Sequence, residues 1–202
     1  MSEQLSELLA RCKQTLSENG ITIFELVSFF KERAIGLLLL LMALPNALLL
    51  ASIPGISSIF GFVIVFLSFN IILNRKILLL PKKISRYSVS KNTLITIIDA
   101  ALPWIVRIEK KLSMRWTFIF SSFFQKIVGS VILFAGICIA LPIPFGNFLP
   151  GVCLVMMALG LIIKDGALVV GGLLALSSVL CFLMYMYKWV LGVAFEWMVS
   201  FF

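Results

Sequence analysis

The chain has 202 residues and a formal net charge of +8, with 61% of its residues hydrophobic, 13% charged and a mean hydropathy of +1.13. A soluble globule of this length has no interior large enough for so many apolar side chains, and four stretches, 34–53, 56–73, 127–163 and 167–187, contain no charged residue at all. There is no histidine and the nine acidic residues are scattered, which excludes Ser-His-Asp triads, His-ligated zinc or haem and HExxH proteases.

At about 20 apolar residues per bilayer crossing, the composition predicts an all-α integral membrane protein. Residues 1–33 carry four basic and five acidic side chains, and Leu5, Leu8, Leu9, Cys12 and Leu16 recur at helical spacing, which predicts an amphipathic cytoplasmic helix stopped by Asn19-Gly20. Thr22 and Glu25 have the spacing of a capping box, so a second helix begins there and runs through Arg33. Residues 34–73 form a first membrane hairpin whose arms meet at Pro54-Gly55, and Pro45-Asn46 kinks its first arm or breaks it into two half-helices around Asn46. The linker 74–126 holds eleven basic residues against Asp99 and Glu109, the bias that places a loop in the cytoplasm. Within it, 93–106 and 114–124 are amphipathic helices expected to lie at headgroup level. Residues 127–165 form a second hairpin with short arms around Pro142-Ile143-Pro144-Phe145-Gly146-Asn147. A fifth transmembrane helix spans 167–187, and 189–202 is an interfacial tail or a poor sixth crossing that completes the C-terminal region 166–202. Cys12, Cys138, Cys153 and Cys181 show no CxxC spacing; the last three lie in apolar segments and read as small hydrophobes.

A shift of 90 residues lays Ile53-Pro54, Gly61, Val65 and Ile72 over Ile143-Pro144, Gly151, Val155 and Ile162. Arg33-x-x-Gly36 and Lys126-x-x-Gly129 open the two hairpins three residues out of that register. The pattern predicts an internal repeat of two parallel hairpins; the alternative is that two membrane hairpins resemble each other because both need tight turns. Paired Pro/Gly-interrupted segments in two halves point to a midplane binding site.

The run LPIPFGNFLP at 141–150, the apolar stretch 154–161 and Lys164-Asp165-Gly166 resemble the ExoD family of bacterial exopolysaccharide-synthesis membrane proteins. The Leu-Ser-Glu-Leu-Leu opening at 5–9, Ala43-Leu44-Pro45-Asn46, Pro81 in the basic linker and Ala101-Leu102-Pro103-Trp104 extend the resemblance over most of the chain. It departs from the family pattern at Ile77-Leu78-Leu79-Leu80 and at Lys164. The resemblance implies a multi-pass protein of the inner membrane, with its N-terminus placed in the cytoplasm by the charge bias, and no known reaction chemistry.

The expected function is handling or transport of a lipid-linked or small anionic substrate in exopolysaccharide synthesis. An assembly partner of an export complex and an enzyme acting on lipid-linked saccharide are the alternatives. Expected substrate-binding residues are Pro45, Asn46, Pro142, Pro144, Phe145, Gly146, Asn147, Pro150 and Asp165, and expected contacts to anionic head groups are Arg33, Arg75, Lys76, Arg115 and Lys126. No catalytic residue, metal or cofactor is expected, nor a nucleic-acid partner; the bilayer and a second copy of the chain are the other expected partners.

Overall fold

The apolar stretches of the sequence become helices whose lengths are set by glycine, proline and polar caps. In the computed structural model the described residues are 5–15, 21–30, 33–48, 56–75, 88–111, 115–141 and 146–199. They form α1 (Leu5–Thr15), β1 (Ile21–Thr22), α2 (Ile23–Phe30), α3 (Arg33–Ala47), α4 (Ile56–Ile72), β2 (Ser88–Val89), α5 (Lys91–Lys111), a 3₁₀ turn (Thr117–Phe120), α6 (Ser122–Ala140), α7 (Phe148–Ile163) and α8 (Gly166–Val199). The protein is almost entirely helical, and α6 together with residues 166–189 of α8 are long and apolar enough to cross a membrane. Helices α3, α4 and α7 are apolar but shorter, reaching about 22–26 Å at 1.5 Å per residue.

Outside the apolar bundle, the N-terminal region folds onto the linker. Leu9 and Cys12 on α1 and Leu94 and Ile98 on α5 are buried, and Lys13 Nζ donates to both carboxylate oxygens of Asp99 at 2.8 and 2.9 Å. The two short strands pair antiparallel, Ile21 opposite Val89 and Thr22 opposite Ser88. The capping box forms: the Thr22 amide and hydroxyl donate to Glu25 Oε2 at 2.9 and 2.8 Å, and the Glu25 amide donates to Thr22 Oγ1 at 3.2 Å. These bonds hold the Glu25 carboxyl below the usual carboxylate range.

The bundle is interlocked. Each hairpin packs mainly across to the other, α4 against α6 and α3 against α7, with the start of α8 laid on α7. Glycines set these contacts by letting helix backbones approach closely. A methyl group on Gly36 would lie 2.9 Å from Ile162 Cγ1, and one on Gly129 would lie 2.7 Å from Ile72 Cγ1. At the opposite end a methyl on Gly61 would strike the Ala140 backbone, with Cα at 2.6 Å, and one on Gly151 would sit 2.7 Å from the Ala47 amide nitrogen.

Two expectations, on 114–124 and on the tail, are corrected. The interruption expected at Pro45-Asn46 is where α3 ends, at Ala47, and the second half-helix expected over the rest of 34–53 falls on 49–55, outside the described residues. Residues 114–124 do not form an interfacial helix. Trp116 adopts φ 50°, the Gly166 amide donates to Arg115 O at 2.7 Å, and this clasp onto the α7–α8 junction leaves only the 3₁₀ turn before α6 begins at Ser122. The tail is no separate interfacial helix, since α8 continues unbroken to Val199. Helix α3 opens at Arg33, which is buried; the expected continuation of α2 from Phe30 toward Arg33 crosses 31–32, outside the described residues.

Candidate functional site

The two ends of the bundle differ in chemistry. At the loop end, the end of α3 meets the start of α7, so Gly151 lies against Asn46 and Ala47. Asn46 is 2% exposed; its Nδ2 donates to Met42 O at 3.0 Å, and its Oδ1 is buried without a hydrogen-bond partner. Asn147 Nδ2 donates to Ile139 O at 3.3 Å, tying the start of α7 to the last turn of α6, and Ser58 Oγ donates to Ala140 O at 2.7 Å. Both bonds satisfy carbonyls that a helix end leaves bare. Pro150 is buried in the first turn of α7, where a missing amide hydrogen costs nothing. Gly146 and Asn147 form the turn into α7, whereas Pro142, Pro144 and Phe145 lie outside the described residues.

At the basic end, α3 and α6 begin where α4 and α7 finish. A cavity of about 210 Å³ opens there, lined by Asn70, Asn74 and Arg75 from the end of α4, Lys164 from the end of α7 and Gln125 from the start of α6. Ile35, Gly36, Ile71, Phe120 and Leu161 form its apolar wall. The two helix ends that supply the polar residues share one geometry. Asn74 and Lys164 both have left-handed backbones, φ 50° and 62°, and the amides of Arg75 and Asp165 donate back to Asn70 O and Gly160 O at 3.1 and 3.0 Å. This is the Schellman pattern, which turns the last carbonyls inward and ends the helix sharply.

Of the expected anion contacts, only Arg75 reaches this cavity. Arg33 is buried at the start of α3, Arg115 and Lys126 are exposed on neighbouring turns and do not line it, and Lys76 lies outside the described residues. Asp165 is 4% exposed and spends Oδ1 on the amides of Ala167 and Leu168, at 3.0 and 3.3 Å, capping α8. Sequence reading missed Asn70, Asn74, Gln125 and Lys164. The signal that would have found them is a polar side chain inside a charge-free run, as at Asn70, and the 90-residue offset that lays Asn74 over Lys164.

The sequence profile described as "Exopolysaccharide synthesis, ExoD" matches residues 5–185. The chain belongs to the ExoD family. It is 31% identical over 172 residues to Protein ExoD of Rhizobium meliloti (strain 1021), covering 83% of this chain and 71% of that protein. An uncharacterized protein of Synechocystis is 27% identical over 155 residues, covering 76% of this chain and 73% of that one. No solved structure matches the chain. The ExoD profile spans both ends of the bundle, the Pro45-Asn46 junction and the basic cavity alike.

Proposed function

We propose that this ExoD-family chain is a multi-pass protein of the bacterial inner membrane in which an internally duplicated helical bundle moves or presents a lipid-linked or small anionic substrate during exopolysaccharide synthesis. The observation that carries the reading is the doubled geometry. Gly36 on Ile162 is mirrored by Gly129 on Ile72, and Gly61 on Ala140 by Gly151 on Ala47. Each pair maps onto its twin by adding 93 residues in α3 and 90 in α4, and the helix caps at Asn74 and Lys164 repeat at the same offset of 90. Tight turns alone would not reproduce both contact partners and cap bonds. Because both hairpins start at the basic end, the halves are parallel, related by an axis near the membrane normal.

Membrane residence draws on the distribution of side chains. Ile59, Phe62, Phe66, Phe69 and Leu73 form an exposed apolar stripe along α4, while Asn46, Ser57, Ser68 and Asn70 are buried inside. Apolar outside and polar inside is the arrangement a bilayer selects and water opposes. On this reading all five apolar helices enter the bilayer, with the short ones accommodated by local thinning. Trp116, Phe118 and Phe123, all exposed beside Arg115 and Lys126, then sit at the cytoplasmic headgroup level, and the N-terminus is cytoplasmic.

A second reading, an assembly partner or a homodimer, is favoured by α8, which beyond Val179 exposes Phe182, Met184, Tyr185, Tyr187 and Trp189. The deciding experiment is reconstitution in liposomes with assays for polyprenyl-phosphate lipid flipping, anion flux and saccharide hydrolysis. Flipping or flux supports the proposal. Hydrolysis alone moves the chain to the enzymes, and a protein inert in all three that copurifies with export components is the assembly partner.

A further inference from the structure

In the cavity at the basic end, charged and carboxamide side chains from both halves of the bundle converge. We propose that this cavity is a binding site for a phosphate-bearing anion, with Arg75 and Lys164 as its charged clamp and Asn70, Asn74 and Gln125 as its polar floor. This rests on the reading of the chain as a membrane protein that handles an anionic substrate, and it names the site and the chemistry.

The sign of the ligand follows from the walls. Two lining residues are cationic and, among the described lining residues, none is acidic. The neighbouring carboxylate, Asp165, has Oδ1 directed to the amides at the start of α8. Two helix starts and two helix ends meet here, so their partial charges largely offset one another, and the end carbonyls Asn70 O and Gly160 O already accept bonds from Arg75 and Asp165. Formal charge therefore decides. Arg75 supplies a planar fork suited to phosphate oxygens and Lys164 a compact ammonium, while Asn70 Nδ2 and Asn74 Nδ2 donate to Phe66 O at 3.0 Å and Ser122 Oγ at 2.7 Å, bonds that fix their carboxamides at the cavity edge.

The class of ligand follows from shape. About 210 Å³ exceeds what a single water needs and suits a phosphate or diphosphate group. The wall formed by Ile35, Ile71, Phe120 and Leu161 is apolar, so a phosphate carried on an apolar chain matches both surfaces. The left-handed caps aid the clamp: without the turn at Asn74 and Lys164, α4 and α7 would carry their next side chains around the helix and past the cavity.

The test is equilibrium binding to the full chain in phosphatidylcholine nanodiscs, read by calorimetry, with two probes: inorganic pyrophosphate in solution and farnesyl phosphate in the bilayer. Saturable binding of either supports the site. Binding of pyrophosphate identifies a free anion as the source, and binding of farnesyl phosphate alone identifies a lipid head group. Arg75→Gln and Lys164→Asn, the latter keeping a residue tolerant of the left-handed backbone, should each weaken the bound probe about tenfold, and together about a hundredfold. Arg75→Lys should restore binding to within about threefold. Lys91→Gln, a linker cation outside the cavity, should change it less than twofold. Affinity should also fall as salt rises. The site is overturned if neither probe binds saturably, if the double variant binds as well as wild type while retaining its melting temperature, or if Lys91→Gln weakens binding as much as the clamp variants. Because binding is measured without flux, a protein that transports but fails here loses only this site, and one that binds but moves nothing loses only the transport reading.

Discussion

Adding one methyl group at Gly61 or Gly151 should destabilise the bundle, whereas the same change at Gly171 should stabilise it. In a helix interior Gly→Ala is worth about 0.8–1 kcal/mol in propensity. At Gly171 a new methyl would meet only Met156 Cε at 3.7 Å, so that gain is realised. At Gly151 it would sit 2.7 Å from Ala47 N and 2.9 Å from Asn46 C, and at Gly61 it would lie 2.6 Å from Ala140 Cα. These are backbone atoms that no rotamer change can clear, so the helices must part by roughly an ångström, at the overpacking cost of about 1–3 kcal/mol. Set against the propensity gain, the cost leaves a net loss of up to about 2 kcal/mol at each site, or up to ~8 °C in melting temperature. Thiol-reactive dye unfolding suits the assay, because Cys12 and Cys153 are buried and exposed Cys181 can be replaced by Ser. Equal losses at Gly61 and Gly151 are expected from their mirrored contacts. If either alanine raises the melting temperature as Gly171→Ala does, the interlocked packing is wrong.

Asp165→Ala should cost about 1 kcal/mol by uncapping α8, while Asp165→Asn should retain most of that stability; thermal unfolding of the two variants checks the cap. Asn147→Ala should lose the bond to Ile139 O and about 1 kcal/mol, and a drop in exopolysaccharide complementation that parallels the drop in melting temperature identifies a structural residue. Glu25, whose carboxyl titrates below its unfolded value, stabilises the start of α2 above the ordinary carboxylate range and loses that contribution as pH falls through its folded value. Protection factors at the Thr22 and Glu25 amides, taken relative to the intrinsic exchange rate at each pH, should therefore fall on acidification, and Glu25→Gln should remove that pH dependence. The exposed Lys13–Asp99 pair should matter little, with Lys13→Ala costing no more than about 1 kcal/mol in chemical denaturation.

The helices were legible because each charge-free run has one outcome in a membrane and because Thr22 and Glu25 carry a local signal that needs no tertiary context. Helix ends were less so. Pro45 flags where α3 ends, two residues later at Ala47, but not that Gly151, 104 residues further along the chain, packs against that end. The aromatic run 116–124 looks amphipathic, but its conformation is decided by the amide of Gly166 reaching Arg115 O. The apolar face of α1 likewise fits a membrane surface until α5 is seen to cover it. The candidate cavity was half visible: Arg75 stands out in the basic linker, while Asn70, Asn74, Gln125 and Lys164 converge only when two distant helix ends are brought side by side.

The central claim is a doubled bundle with parallel halves and one basic, cytoplasmic end. Single cysteines introduced into a cysteine-free chain, as Arg75→Cys, Lys126→Cys and Lys164→Cys at that end and Leu48→Cys and Leu141→Cys at the loop end, can be labelled with a membrane-impermeant maleimide in intact cells and in inverted vesicles. Positions 75, 126 and 164 should label only in inverted vesicles, and 48 and 141 only in intact cells. Labelling of 164 from the face opposite 75, or of 48 and 141 from different faces, would make the halves inverted and contradict the account.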